Sequence, residues 1–202
     1  MKFAGASLLT LPLCFAAYGI IRLVGRMDGH YGPGLDWQAG HLVNLVGLLL
    51  FVPALLALRR ALPRTRGRDA AIVVTLVGVA TSVVQFVVDV VAGLLAADRA
   101  GMNEVTSRFT GIPGVRPVFY VVGPPLLYVG LLVLLVLLVR AGTVAWWSPA
   151  LVLVGAGLTI VSLNLIPVAG LCLLVALAPL ARRLWHEQAP APARSGAHAR
   201  AY

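Results

Sequence analysis

Long apolar runs separated by short polar connections dominate the pattern of this chain of 202 residues. Each run reaches the length of about 20 residues that a helix needs to cross the hydrocarbon core of a bilayer. The third run is rich in valine, but its length and its lack of turn signals outweigh the strand preference of valine. We therefore predict an all-α integral membrane bundle with helices over about residues 3–24, 41–58, 70–97, 118–139, 144–163 and 167–184.

The last apolar run, from Val144 to Leu180, is nearly twice as long as one crossing. The segment Asn164-Leu165-Ile166-Pro167 is its only turn-like interruption, so we place a break there and expect six helices rather than five. This break returns Arg182 and Arg183 to the same side of the membrane as the other basic connections.

Proline also affects the interpretation of the first and fourth runs. The first run holds Pro12 and exceeds the hydrophobic region of a secretory signal, so we expect it to remain as a membrane helix. In the fourth run, Gly123-Pro124-Pro125 leaves two alternatives open. Either the outer end of that helix is kinked, or the regular helix begins only at Pro124.

Basic residues fall on alternate connections, most densely between Arg59 and Arg68. Because positive residues remain in the cytoplasm, we place this connection and both termini there. The predicted outer side then carries equal numbers of acidic and basic residues, so the net charge of +9 lies on the inner side. This favours contact with anionic inner-leaflet lipid. It argues against nucleic-acid binding, since no basic module interleaved with aromatic residues is present.

Composition agrees with a membrane class, because 60% of the residues are hydrophobic and only 11% are charged. We expect a single transmembrane domain over residues 1–187 and a disordered cytoplasmic tail over 188–202, where alanine, proline, serine, glycine and arginine alternate. A single lysine among 16 basic residues, with much alanine, valine and glycine, suggests a GC-rich bacterial genome. The expected location is the bacterial cytoplasmic (inner) membrane.

Polar side chains lie towards the predicted outer ends of the first three helices: Arg22, His41, Asn44, Gln85 and Asp89. Gln85 and Asp89 share one helix face, as do His41 and Asn44. A carboxylate at the centre of a membrane helix costs roughly 2 to 3 kcal/mol, and less nearer the interface. If the cluster is structural, Asp89 pairs with Arg22 or His41, and the side-chain amides of Asn44 and Gln85 form hydrogen bonds between helices. In a binding role, the five residues line an outward cavity for a cation, a proton or a small polar ligand.

The sequence gives little support for a metal site or a catalytic site. His30, Asp36 and His41, with Asp28, offer nitrogen and oxygen ligands on a glycine-rich segment, but their spacing matches no established metal site. We therefore predict no metal and no other cofactor. Ser82 lies in an apolar helix with no histidine at a compatible depth, so no catalytic residue is predicted.

The block Asp28-Gly29-His30-Tyr31-Gly32-Pro33-Gly34-Leu35-Asp36-Trp37, followed by Gly40-His41-Leu42, resembles a segment of uncharacterised multi-pass membrane proteins of actinobacterial type. The resemblance covers the first third of the chain. It implies architecture and origin, and no activity.

Two functional hypotheses follow. The leading one is a non-enzymatic membrane protein that acts as an interaction partner or stabilising subunit of another membrane protein. The alternative is a small transporter or ligand-binding protein that uses the polar cluster around Asp89.

Overall fold

The computed structural model describes residues 2–27, 29 and 32–186. All regular structure in these residues is helical, which confirms the all-α prediction for this part of the chain. Five helices are long and apolar enough to cross a membrane. The α-helices are α1 (Lys2–Val24), α2 (Leu35–Ala61), α3 (Arg66–Leu95), α4 (Arg99–Thr110), α5 (Gly123–Arg140), α6 (Trp147–Val161) and α7 (Ile166–His186). The predicted tail at 188–202 lies outside the described residues.

The long final apolar run divides into two helices. α6 ends at Val161, a 3₁₀ turn covers Leu163–Leu165, and α7 begins at Ile166. α6 has 15 residues, or about 22 Å at 1.5 Å per residue. It is therefore shorter than the hydrocarbon core of about 30 Å, and the five longer helices do not include it.

α2 begins at Leu35 rather than at the predicted His41. The residue before it, Gly34, makes no side-chain cap. The extra turn is instead held by α3, because the Trp37 and Gln38 side chains donate hydrogen bonds to carbonyl oxygens of that helix. The other differences in helix bounds are small: α3 covers Arg66–Leu95 where 70–97 was expected.

The outer connection between α3 and α5, expected to be a loop over residues 98–117, contains the helix α4. The Asp98 side chain accepts a hydrogen bond of 2.8 Å from the Gly101 amide and caps the helix. Arg108 pairs with Glu104 one turn earlier, at 2.6 Å. These local interactions explain why a polar segment forms a helix here.

The start of α5 settles the two alternatives at its prolines. A π-helical turn covers Pro117–Val122 and continues directly into α5 at Gly123. Pro124 lies in the first turn of α5, directly after the π-helical turn. The outer end is therefore helical, and the regular α-helix begins at Gly123.

The five long helices and the shorter α6 pack as a ring in the spatial order α3, α2, α1, α7, α6 and α5, which closes because α5 also packs against α3. Small residues permit close approach at two of these interfaces. A Cβ on Gly78 would overlap the backbone of Leu127 in α5, and one on Gly170 would lie 2.6 Å from the backbone nitrogen of Ala16 in α1. Such contacts are typical of helix packing in membranes.

The tightest packing lies near the end of the bundle that carries the Arg59–Arg68 connection. Leu134, Leu138 and Leu180 are fully buried there, among other leucines of α2, α5 and α7. Arg68 is also buried and donates hydrogen bonds of 3.2 Å to the carbonyl oxygens of Arg59 and Leu62. Its partner Asp69 lies 2.7 Å away. This connection is therefore an ordered part of the fold.

Candidate functional site

The opposite end of the bundle, called the outer end below, contains an open polar cleft of about 480 Å³. Of the five polar residues predicted to come together, Arg22, His41, Gln85 and Asp89 line this outer cleft. They come from α1, α2 and α3. The remaining lining residues are Tyr18, Arg26, Gly29, Trp37, Arg99 and Leu163.

Contacts between α2 and α3 position the outer cleft. The indole Nε1 of Trp37 donates a 2.9 Å hydrogen bond to the carbonyl oxygen of Asp89, and Gln38 Nε2 donates one of 3.1 Å to that of Val90. Gly93 makes room for this contact, since a Cβ there would lie 2.6 Å from the Trp37 ring. The first turn of α2 is thereby fixed against α3.

His41 lies at the base of the outer cleft and is 2% exposed. Its ring stacks on Trp37 with centroids 4.1 Å apart. Nδ1 lies 2.7 Å from the Trp37 carbonyl oxygen, and since a carbonyl can only accept, this contact assigns a hydrogen to Nδ1. Nε2 lies 3.9 Å from Oδ2 of Asp89. This separation exceeds a hydrogen bond, and the pair is ionic only when His41 carries a second proton.

Three guanidinium groups surround the outer cleft. Arg22 is 8% exposed and donates a 3.2 Å hydrogen bond to Oδ1 of Asn164, in the turn between α6 and α7. Arg99 lies 5.1 Å from the centroid of the Trp37 ring, in a cation–π contact. Arg26 is exposed. Among the described lining residues, Asp89 is the single carboxylate, so their charge balance is positive.

α4 positions Arg99. Met102 is buried with Trp37 and Ala92 in a small apolar cluster that joins α4 to α2 and α3. This cluster fixes the N-terminal turn of α4 over the outer cleft. The arginine is thereby held close to the indole.

A second space, the inner cavity, lies deeper between α1, α2, α3, α5 and α7, with a volume of about 130 Å³. Most of its lining is apolar: Leu11, Phe15, Gly47, Leu48, Phe51, Phe86, Pro124, Leu127 and Leu173. Four polar side chains also line it: Asn44, Ser82, Gln85 and Tyr128.

Asn44 was predicted to join the outer cluster, but it lines the inner cavity instead. It is 3% exposed, and neither it nor Gln85 has a side-chain hydrogen bond within residues 2–27, 29 and 32–186. The interhelical bonds expected of these amides in a structural role are therefore missing from this part of the chain. The amide of Asn44 is therefore available to a polar group inside the inner cavity.

The outer cleft and the inner cavity meet at Gln85, which borders both. Beside it, three aromatic rings contact one another: Tyr18 and His41 line the outer cleft, and Phe86 lines the inner cavity. The Phe86 ring centroid lies 5.3 Å from those of Tyr18 and His41, and the last two are 5.4 Å apart. The polar outer cleft and the largely apolar inner cavity thus adjoin at Gln85.

The metal alternative gains no support from the described side chains. His30 and Asp28 lie outside the described residues. Asp36 lies against Gly25, whereas His41 is enclosed by aromatic rings, so the two do not converge. Where the chain is described, no three His, Cys, Asp or Glu side chains group closely enough to hold a metal ion.

Six lining residues of the outer cleft were not predicted from the sequence: Tyr18, Arg26, Gly29, Trp37, Arg99 and Leu163. Trp37 lies four residues before His41, so the two share one helix face once α2 begins at Leu35. Arg99 was assigned to a loop, although Asp98 before it is a good N-cap residue. Tyr18 lies one turn before Arg22 in α1, and no sequence feature distinguished it.

No protein-family model, no curated protein and no solved structure matches this chain. The resemblance to multi-pass proteins of actinobacterial type therefore stays a prediction.

Proposed function

We propose that this is a ligand-binding or small transport protein that takes a small oxyanion into the outer cleft. The observation that carries this proposal is the placement of Arg22, Arg26 and Arg99 around a cleft with a single described carboxylate, Asp89. Carboxylate and phosphate groups accept several charge-assisted hydrogen bonds from guanidinium groups. A ligand of this class would neutralise the excess positive charge.

Two of the arginines are held in place before any ligand arrives. Arg22 is fixed by Asn164 and Arg99 by the Trp37 ring. Groups that are already ordered cost less entropy on binding. Asp89 repels an anion and so moderates its affinity, which suits a site that must also release its ligand.

The test is the binding of inorganic phosphate to the purified protein in phosphatidylcholine nanodiscs, measured by calorimetry at constant ionic strength. We expect Arg99→Gln to weaken phosphate binding by about tenfold, since a charge-assisted hydrogen bond contributes about 1.5–3 kcal/mol. Arg108→Gln is the matched control, because Arg108 lies on the same helix and its exposed side chain pairs with Glu104. Equal phosphate affinity in the two variants, or none in the parent, would favour the interaction or stabilising subunit instead.

We place the protein in the bacterial inner membrane with six crossings and both termini in the cytoplasm. The basic Arg59–Arg68 connection supports the orientation. The Arg22–Asn164 bond supports a crossing by α6, because it joins the α6–α7 turn to the outer end of α1. In a variant with Cys14 and Cys172 replaced by alanine, Ser162→Cys should react with an impermeant maleimide added to intact cells. A cysteine at Thr65 should react only after permeabilisation.

Anionic lipid is the proposed partner at the inner end. A groove of about 540 Å³ there is lined by Arg59, Arg60 and Arg64, together with Leu56 and Pro63. Basic side chains beside apolar ones match an anionic headgroup above its acyl chain. Replacing part of the phosphatidylcholine by phosphatidylglycerol should therefore raise the Tm of the protein in nanodiscs, and an unchanged Tm would argue against this partner.

A further inference from the structure

We infer that the ligand is an amphiphile with an oxyanion head in the outer cleft and a short apolar tail in the inner cavity. This inference rests on the proposed function, because it assigns the head to the same arginines. It adds the inner cavity as a second part of the site, which sets the chemical class of the ligand.

The size of the inner cavity sets the length of the tail. Its volume is about 130 Å³, and an apolar cavity of about 150 Å³ in another protein binds benzene. The space therefore suits about six carbon atoms. Phe51, Leu127 and Leu173 line it from three different helices, so a tail would be enclosed by apolar side chains.

The outer cleft and the inner cavity lie close enough along the helix axis for one molecule to occupy both. Ser82 in the cavity wall lies seven residues before Asp89 on α3, or about 10 Å along the helix axis. Gln85 lies between these levels and borders both spaces. A head near Asp89 and a tail near Ser82 therefore belong to a ligand only a few carbons long.

The amide of Asn44 supports an occupant with a polar atom inside the inner cavity. This side chain is 3% exposed, lines the inner cavity and has no hydrogen-bond partner in the described part of the chain. An ester or phosphoester oxygen of an amphiphile can accept a hydrogen bond from the amide. A purely apolar occupant would leave the amide without a partner.

The experiment compares hexyl phosphate with inorganic phosphate, using calorimetry on the full chain in phosphatidylcholine nanodiscs. Each buried methylene strengthens binding about fourfold. We expect hexyl phosphate to bind at least about 60-fold more tightly than phosphate, which corresponds to three buried carbons. Equal affinities of the two probes for the parent protein would overturn the inference.

Two variants fill the inner cavity from different helices: Ser82→Leu in α3 and Leu173→Phe in α7. Each should reduce the advantage of hexyl phosphate, the ratio of its affinity to that of inorganic phosphate, to below about fivefold. The affinity for inorganic phosphate should stay unchanged, which shows that the variant is folded. Thr159→Leu is the matched control, since Thr159 lies on α6 and is absent from the cavity lining; it should keep the full advantage. An undiminished advantage in both filled variants would place the tail elsewhere and overturn the inference.

The results with phosphate and hexyl phosphate distinguish failure of this inference from failure of the proposed function. If phosphate binds through Arg99 but the hexyl chain adds nothing, the proposed function stands and the inference fails. If neither phosphate nor hexyl phosphate binds, both fail. Phosphatidate in the nanodisc should not displace hexyl phosphate, because its acyl chains exceed the inner cavity of about 130 Å³; displacement would identify a membrane lipid as the occupant and overturn the short tail.

Discussion

Replacing Asp89 by leucine separates a binding role from a structural one. The Asp89 side chain is 20% exposed, and its nearest ionic partner, His41, is 3.9 Å away. The hydrogen bond from Trp37 goes to the backbone carbonyl of Asp89 and survives the substitution. Because these two atoms are too far apart for a hydrogen bond, the substitution removes at most about 1 kcal/mol, the net contribution of one ordinary hydrogen bond.

The same substitution removes a carboxylate from a membrane helix. A buried carboxylate destabilises a membrane helix by roughly 2 to 3 kcal/mol at its centre and by less near the interface. We take about 2 kcal/mol for Asp89, which lies beside the open cleft. The balance is a gain in stability of about 1 kcal/mol. For a chain of this size, that corresponds to a rise in Tm of about 2–4 °C.

The assay is thermal unfolding in nanodiscs, followed by a fluorescent dye that reacts with the free thiols Cys14 and Cys172 as they become accessible. Val87→Leu, on an exposed face of the same helix, controls for the added apolar volume. If Asp89 were the essential partner of His41 in a buried pair, the variant would instead lose about 3–5 kcal/mol. A clear fall in Tm would therefore refute the binding role and assign Asp89 to the structure.

Three more substitutions test the fold with the same assay. Trp37→Phe should keep the stack on the histidine but lose the indole hydrogen bond, lowering stability by about 0.6 to 1 kcal/mol; an unchanged Tm would contradict that bond. Gly78→Ala should destabilise by about 1–3 kcal/mol because its Cβ overlaps the backbone of α5, whereas Gly157→Ala, with open space around it, should be neutral. Arg68→Gln should cost about 1.5–3 kcal/mol through its bonds at the inner connection, and the exposed Arg66→Gln should cost little.

The sequence predicts the membrane class and the breaks between helices because both depend on composition over long windows. Asn164 and Pro167 interrupt an apolar run, and the chain turns there. The convergence of Arg22, His41, Gln85 and Asp89 was also foreseeable. All four lie at similar predicted depths, and a small bundle offers few places for polar side chains at that depth.

The start of α2 and the position of Arg99 could not be predicted in the same way. The first turn of α2 contains no capping side chain, and its stability comes from hydrogen bonds to α3, a distant segment of the chain. Arg99 reaches the outer cleft only because Met102 packs α4 against Trp37 and Ala92. Such tertiary contacts leave no periodic pattern in the sequence.

The distribution of packing along the bundle axis argues for a site at the outer end. Leu134, Leu138 and Leu180 form a dense core near the inner end, where Arg68 also fastens the connection. The inner end also has an open groove between Arg59 and Arg64, but the polar side chains that cost free energy at membrane depth, Arg22, Asp89 and Asn44, line the outer cleft and the inner cavity. Evolution tolerates such costs where function requires them. A bundle stabilised mainly at one end can keep the other end open for a ligand, which is the division of roles that the outer cleft and inner cavity require.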